Sequence, residues 1–199
     1  MNFTVRFAQL LRYLKEHTIV WCVLCASCIT YFIVQRHGLQ VIAVLFVPDT
    51  LQELLQELAF SRLWTPVLVH YTLVHLLTNL YLWWSFATPI ETESRRDLLL
   101  LVLVAGAVSN AAQWSMAGAN FGGLSGLVYA LLSYRWLVAR YGGKENYRID
   151  PALVIVMLAA LPLAASGILG KFADFAHIGG LVSGAALAAT HIMARKASK

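Results

Sequence analysis

Three short stretches hold the side chains able to do chemistry. Ser125 sits in Phe121-Gly122-Gly123-Leu124-Ser125-Gly126, and His177 sits in Ala176-His177-Ile178-Gly179-Gly180. His75 and Asn79 lie four residues apart after His70-Tyr71-Thr72-Leu73-Val74, so on a helix they share one face. A hydroxyl becomes a nucleophile when a base takes its proton, and acyl transfer also needs donors aimed at the developing oxyanion. Ser125 with His177 offers the first pairing, and His75 with Asn79 offers two candidate oxyanion donors. Each stretch also has a structural reading: a serine in an apolar helix, a buried packing histidine, a helix-to-helix hydrogen bond. Asp174, three residues before His177, could orient the imidazole or simply mark the water boundary.

These groups are embedded in a chain built for lipid. Of its 199 residues 59% are hydrophobic and 13% charged, against roughly 45–50% and about 25% in soluble domains. The net charge of +5 does not indicate nucleic acid, because the basic residues are dispersed between apolar runs. A spanning helix takes about 20 mostly apolar residues, and the sequence predicts six. They run from Thr18 to about Val34, from Pro66 to about Ala87, two within 98–134 separated by a break near Gln113 to Asn120, from Pro151 to about Gly167–Gly170, and from about Asp174 to Ala194. The predicted fold class is thus all-α and polytopic, a six-transmembrane-helix bundle.

If the N-terminus is cytoplasmic, twelve basic residues lie inside and only Arg36, Arg62 and Lys171 outside, a strong positive-inside bias. Both termini are then expected in the cytoplasm. Ser125, His177, His75 and Asn79 all fall in the outer halves of their spans, although charge alone set the orientation. The first outer connection predicts a short interfacial helix, with Thr50 and Glu53 as a capping box and Leu51, Leu54, Leu55, Leu58 and Ala59 on one face. Residues 1–16 read as a short cytoplasmic segment, 17–194 as the six-span domain and 195–199 as a basic tail. No cleavage pattern follows the first apolar run, which is expected to remain as a span. Cys22, Cys25 and Cys28 have a metal-like spacing but no fourth ligand nearby, and read as small residues on a buried helix.

Gly122, Gly126 and Ala130 form a small-residue stripe, and Gly180 with Gly184 forms another, each suited to close helix approach. With Tyr129 four residues beyond Ser125, the order and spacing of these motifs resemble the rhomboid intramembrane serine proteases, particularly the bacterial GlpG-like type. The resemblance runs from the first span to the last. It implies that Ser125 is the nucleophile and His177 its base in a dyad. It implies an oxyanion hole of His75, Asn79 and the Ser125 backbone N–H, with Tyr129 stacked on His177 and Gly123, Gly126, Gly180 and Gly184 in support. It implies no metal and no cofactor, substrates that are themselves transmembrane proteins, and a multi-pass location in the bacterial inner membrane with the site open to the outer face.

Two departures stand out. The family often carries Trp-Arg in the first outer loop, whereas Trp64 is followed here by Thr65 and preceded by Arg62. The cytoplasmic domain of some bacterial relatives is not expected before the first span. The rival readings are a non-catalytic rhomboid-like factor that binds membrane helices, and a small transporter, though no acidic relay or inverted repeat stands out.

Overall fold

The computed structural model describes residues 3–165 and 174–197. Among them there are helices and turns but no strand. The helices are α1 (Phe3–Glu16), α2 (Thr18–His37), α3 (Leu51–Gln56), α4 (Leu73–Glu93), α5 (Arg95–Leu100), α6 (Gly106–Ala117), α7 (Ser125–Tyr141), α8 (Pro151–Ala165) and α9 (Asp174–Ala197). A π-helical turn over Leu101–Ala105 joins α5 to α6 without a break in the rod. Among the described residues three stretches, Thr18–His37, Arg95–Ala117 and Asp174–Ala197, are long and apolar enough to cross a membrane.

Several boundaries differ from the sequence reading. The second span was expected from Pro66, but Thr65–Leu68 forms a 3-10 turn and the helix starts at Leu73, where the Thr72 hydroxyl accepts from the His75 N–H at 3.1 Å. That hydroxyl satisfies an otherwise orphaned donor and so fixes the start. His70 therefore precedes the helix. The same helix continues through Pro89 to Glu93, beyond the expected Ala87. Gln113 lies on α6, not in the break, which runs from Gly118 to Leu124. The sixth helix extends past Ala194 to Ala197. The expected end of the fifth span, and Lys171, fall outside the described residues. Residues 3–16, read as a plain segment, form the helix α1.

The first connection holds a 3-10 helix over Leu39–Leu45 and then α3, whose Thr50 cap accepts from the Glu53 N–H at 3.1 Å. Leu54 and Ala59 pack with Val47 and Phe121, while Leu51, Leu55 and Leu58 stay exposed. The cysteines are all free. They do not lie on a buried face: Cys22 and Cys25 point outward, and α2 instead buries Val20, Ser27, Thr30, Tyr31 and Val34.

The core is organised around α7, which buries every residue from Gly126 to Leu132 and packs most extensively on α9. Glycine makes that contact possible. A β-carbon at Gly180 would collide with the Gly126 carbonyl oxygen, and one at Gly184 with the Ala130 carbonyl oxygen. Gly179 turns to α6, where a β-carbon would lie 3.1 Å from Ala112 Cβ. Polar side chains tie the other helices in. His17 gives α2 no side-chain cap, and the buried Glu91 carboxylate of α4 takes its place, accepting from Ile19 N–H at 2.8 Å and Val20 N–H at 2.9 Å. Arg135 is buried as well, donating to the carbonyls of Ser85, Asn146, Tyr147 and Arg148 and so anchoring the connection between α7 and α8. At the π-helical turn the Leu103 carbonyl accepts from Trp64 Nε1 at 2.7 Å, binding the first connection to the bundle.

Candidate active site

Ser125 is the first residue of α7, and the loop before it is pinned from beneath. Gly123 N–H donates to Pro66 O at 3.0 Å, and Leu124 N–H lies 3.4 Å from His70 Nε2. His70 is fully buried, and its Nδ1 is 3.2 Å from Leu68 O. One imidazole thus spans the turn at Pro66–Leu68 and the loop that carries the serine. Two glycines of this loop have no substitute. Gly122 presses on Val69, whose carbonyl oxygen would lie 2.9 Å from a β-carbon. Gly123 has φ +130°, and a β-carbon there would meet the His75 ring at 2.8 Å. The His75 imidazole therefore lies over the backbone two residues before Ser125.

His177 is brought to the serine by α9. Its Nε2 is 2.8 Å from Ser125 Oγ, within ordinary hydrogen-bond reach. The imidazole is buried and its ring centroid lies 4.6 Å from that of Tyr129 at an interplanar angle of 37°. The Tyr129 hydroxyl donates to Met157 O of α8 at 2.7 Å, so this tyrosine holds its ring between α8 and α9. The first turn of α9 is held by Gln113, whose Oε1 accepts from the Ala176 N–H at 3.2 Å. Among the described residues Nδ1 of His177 is buried with no hydrogen-bond partner, and so is Oδ1 of Asp174. No hydrogen bond joins the Asp174 carboxylate to the His177 ring among the described residues.

Asn79 is buried on α4, and its Nδ2 donates to His75 O at 2.9 Å, one turn back along its own helix. An amide carries two donors, so this bond uses one of them. The start of α7 adds backbone donors, because Leu124 supplies no side-chain cap and the first N–H groups of a helix lack intrahelical acceptors. The arrangement brings together a hydroxyl, an imidazole in contact with it, and N–H groups at the positive end of a helix. Among the described residues no group of His, Cys, Asp and Glu could hold a metal ion.

Residues 57–194 match the family model of the Rhomboid domain. The chain belongs to the rhomboid family. Two curated rhomboids are similar to it. The Rhomboid protease GlpG homolog of Cronobacter sakazakii is 36% identical over 141 residues, which is 68% of this chain and 51% of that protein. The Rhomboid protease GlpG of Pectobacterium atrosepticum is 36% identical over 135 residues, 67% of this chain and 49% of that protein. The chain thus spans about half the length of the curated relatives it matches. Rhomboid membership together with the three long apolar helices makes it an integral membrane protein.

The sequence reading gave no role to His70 or Gln113. His70 had a usable signal, a second histidine five residues before His75 and four after a proline. Gln113 had none, since its partner is a backbone N–H sixty-three residues away.

Proposed function

We propose that this rhomboid is an intramembrane serine endopeptidase that cuts other membrane proteins in or near their transmembrane segments. The observation that carries the reading is the 2.8 Å contact between Ser125 Oγ and His177 Nε2 at the start of a helix. In this account the imidazole takes the hydroxyl proton as the oxygen attacks the scissile carbonyl. It then returns that proton to the leaving amine, and water repeats the cycle on the acyl-enzyme. The negative charge that develops on the carbonyl oxygen is met by the Ser125 N–H, by the His75 ring and by the second amide proton of Asn79. Tyr129, stacked on the imidazole and tied to Met157, holds the ring plane that a third catalytic group would otherwise fix.

The proposed architecture is a six-span bundle over 17–194, flanked by a cytoplasmic segment over 1–16 and a basic tail over 195–199, with α3 lying in the membrane interface. The exposed Leu51, Leu55 and Leu58 of that connection give it an apolar side for lipid. The bias of basic residues supports an orientation with both termini in the cytoplasm and the dyad open to the outer face of a bacterial inner membrane. The chemistry calls for no metal and no cofactor.

The test is cleavage of a transmembrane reporter by purified protein in proteoliposomes. Wild type is expected to cut and Ser125→Ala, with an unchanged melting temperature, to be inactive. Equal cleavage by the two would overturn the reading. Binding of the reporter without cleavage by wild type would favour a rhomboid-like factor that recognises membrane helices.

A further inference from the structure

Far from the dyad the bundle has a concave site. On α9, His191 lies fourteen residues beyond His177, about 21 Å along the helix axis. A cavity of about 660 Å³ opens there between α5, α7 and α9, a size ordinarily found for small-molecule sites. Its wall mixes basic and apolar side chains. Arg96, Lys144 and Arg195 line it together with Leu100, Leu101 and Leu187.

The acidic groups nearby are already engaged. Asp97 Oδ2 is 3.2 Å from His191 Nδ1 and accepts from the Tyr134 hydroxyl at 3.3 Å, and that hydroxyl is 3.0 Å from His191 Nδ1. Glu93 pairs with Lys144 and accepts from Asn146 at 2.7 Å. Arg195 donates to Gly142 O. Arg96 is exposed at the first turn of α5. The residues that line the cavity thus include three basic side chains and one carboxylate, that of Asp97.

Apolar surface continues out of the cavity. Leu100, Leu103 and Val104 follow Arg96 along the same flank of the rod and are all exposed, at 39%, 45% and 40%. Basic groups in the cavity and an exposed apolar flank beyond it suit a guest that is anionic at one end and apolar at the other. A soluble phosphate would suit the basic groups and leave the leucine flank uncovered. Basic pockets between transmembrane helices are suited to anionic lipid headgroups.

We propose that this cavity binds the phosphate-bearing headgroup of an anionic phospholipid, held by Arg96, Arg195 and Lys144, with an acyl chain laid along Leu100, Leu103 and Val104. The site is independent of the proteolytic reading, since none of its residues touches the dyad.

The experiment is native mass spectrometry of the full chain in mixed micelles containing phosphatidylglycerol and phosphatidylcholine at equal concentration. The expected result is one phosphatidylglycerol retained in preference to phosphatidylcholine. Arg96→Gln should weaken its retention about five-fold, the contribution of one basic group at an anionic lipid surface. Leu100→Trp, which fills the cavity, should do the same, and Arg140→Gln, outside the cavity, should not. Melting temperatures in the same micelles show that each variant is folded. Equal retention of the two lipids, or undiminished phosphatidylglycerol in both cavity variants, would overturn the proposal. So would displacement of the lipid by millimolar inorganic phosphate, which would make the cavity a site for soluble anions.

Discussion

Gly180 of α9 rests against the carbonyl oxygen of Gly126 of α7 so closely that no β-carbon fits between them. The obstruction is backbone, which cannot rotate aside as a flexible side chain would. Gly126 is the residue after Ser125, and Gly180 is three after His177, so this contact sets the separation of the two groups 2.8 Å apart.

Replacing Gly180 or Gly184 of α9 should therefore act on chemistry through distance. Gly180→Leu and Gly184→Leu are expected to destabilise the protein by about 1–3 kcal/mol, the usual cost of overpacking. Activity should fall further than stability, because a displacement of about 1 Å can cost 10²-fold in rate. Melting temperature and turnover measured on the same detergent preparation check this. Stable, fully active variants would remove the α7–α9 contact as the determinant of site geometry.

Asn79→Ala is expected to lower turnover with little effect on substrate affinity. Loss of one oxyanion donor in soluble serine proteases costs about 10²–10³-fold. The drop here should lie at or below that range, since the Ser125 N–H and His75 remain. Because Asn79 also bonds to His75 O, the comparison needs kcat and KM separately. A rise in KM alone would make Asn79 a packing residue.

Glu91→Ala should destabilise the fold without touching the dyad. It strips the acceptor from Ile19 N–H and Val20 N–H and leaves Arg95 without its carboxylate, 3.5 Å away. Hydrogen bonds to a charged group are worth about 1.5–3 kcal/mol. The melting temperature should drop clearly, while the turnover of the protein still folded at low temperature stays near wild type. An unchanged melting temperature would contradict the capping role assigned to this carboxylate.

Orientation can be checked by single-cysteine labelling in a background lacking Cys22, Cys25 and Cys28. Arg96→Cys should react only with reagent supplied to the cytoplasmic side, and Asn120→Cys only from outside. Both positions are exposed, and Asn120 avoids the left-handed backbone of Gly118 at φ 84°. Reversed accessibility would invert the proposed topology.

What could be read from sequence followed from the physics of burial in lipid. Ser125, His177, His75 and Asn79 stood out because polar groups in apolar runs are costly, and Gly126, Gly180 and Gly184 because only small residues let helices approach. The start of α4 was misplaced because apolar composition continues from Pro66 through Leu73, while the boundary is set by one hydroxyl, that of Thr72. Glu91, Gln113 and Arg135 escaped for a related reason. Their partners are backbone groups distant in sequence or in the following loop, and no local pattern records such a bond. Glu91 and Arg135 look like ordinary loop charges until the fold buries them.

The central claim is that Ser125 is an activated nucleophile. It is tested most directly by treating the folded protein with a fluorophosphonate and locating the adduct by peptide mass spectrometry. The account predicts stoichiometric modification of Ser125 in wild type, and almost none in Ser125→Ala or in His177→Ala, where the base is gone. An unmodified Ser125 in wild type, or equal modification of Ser125 when His177 is absent, would contradict it.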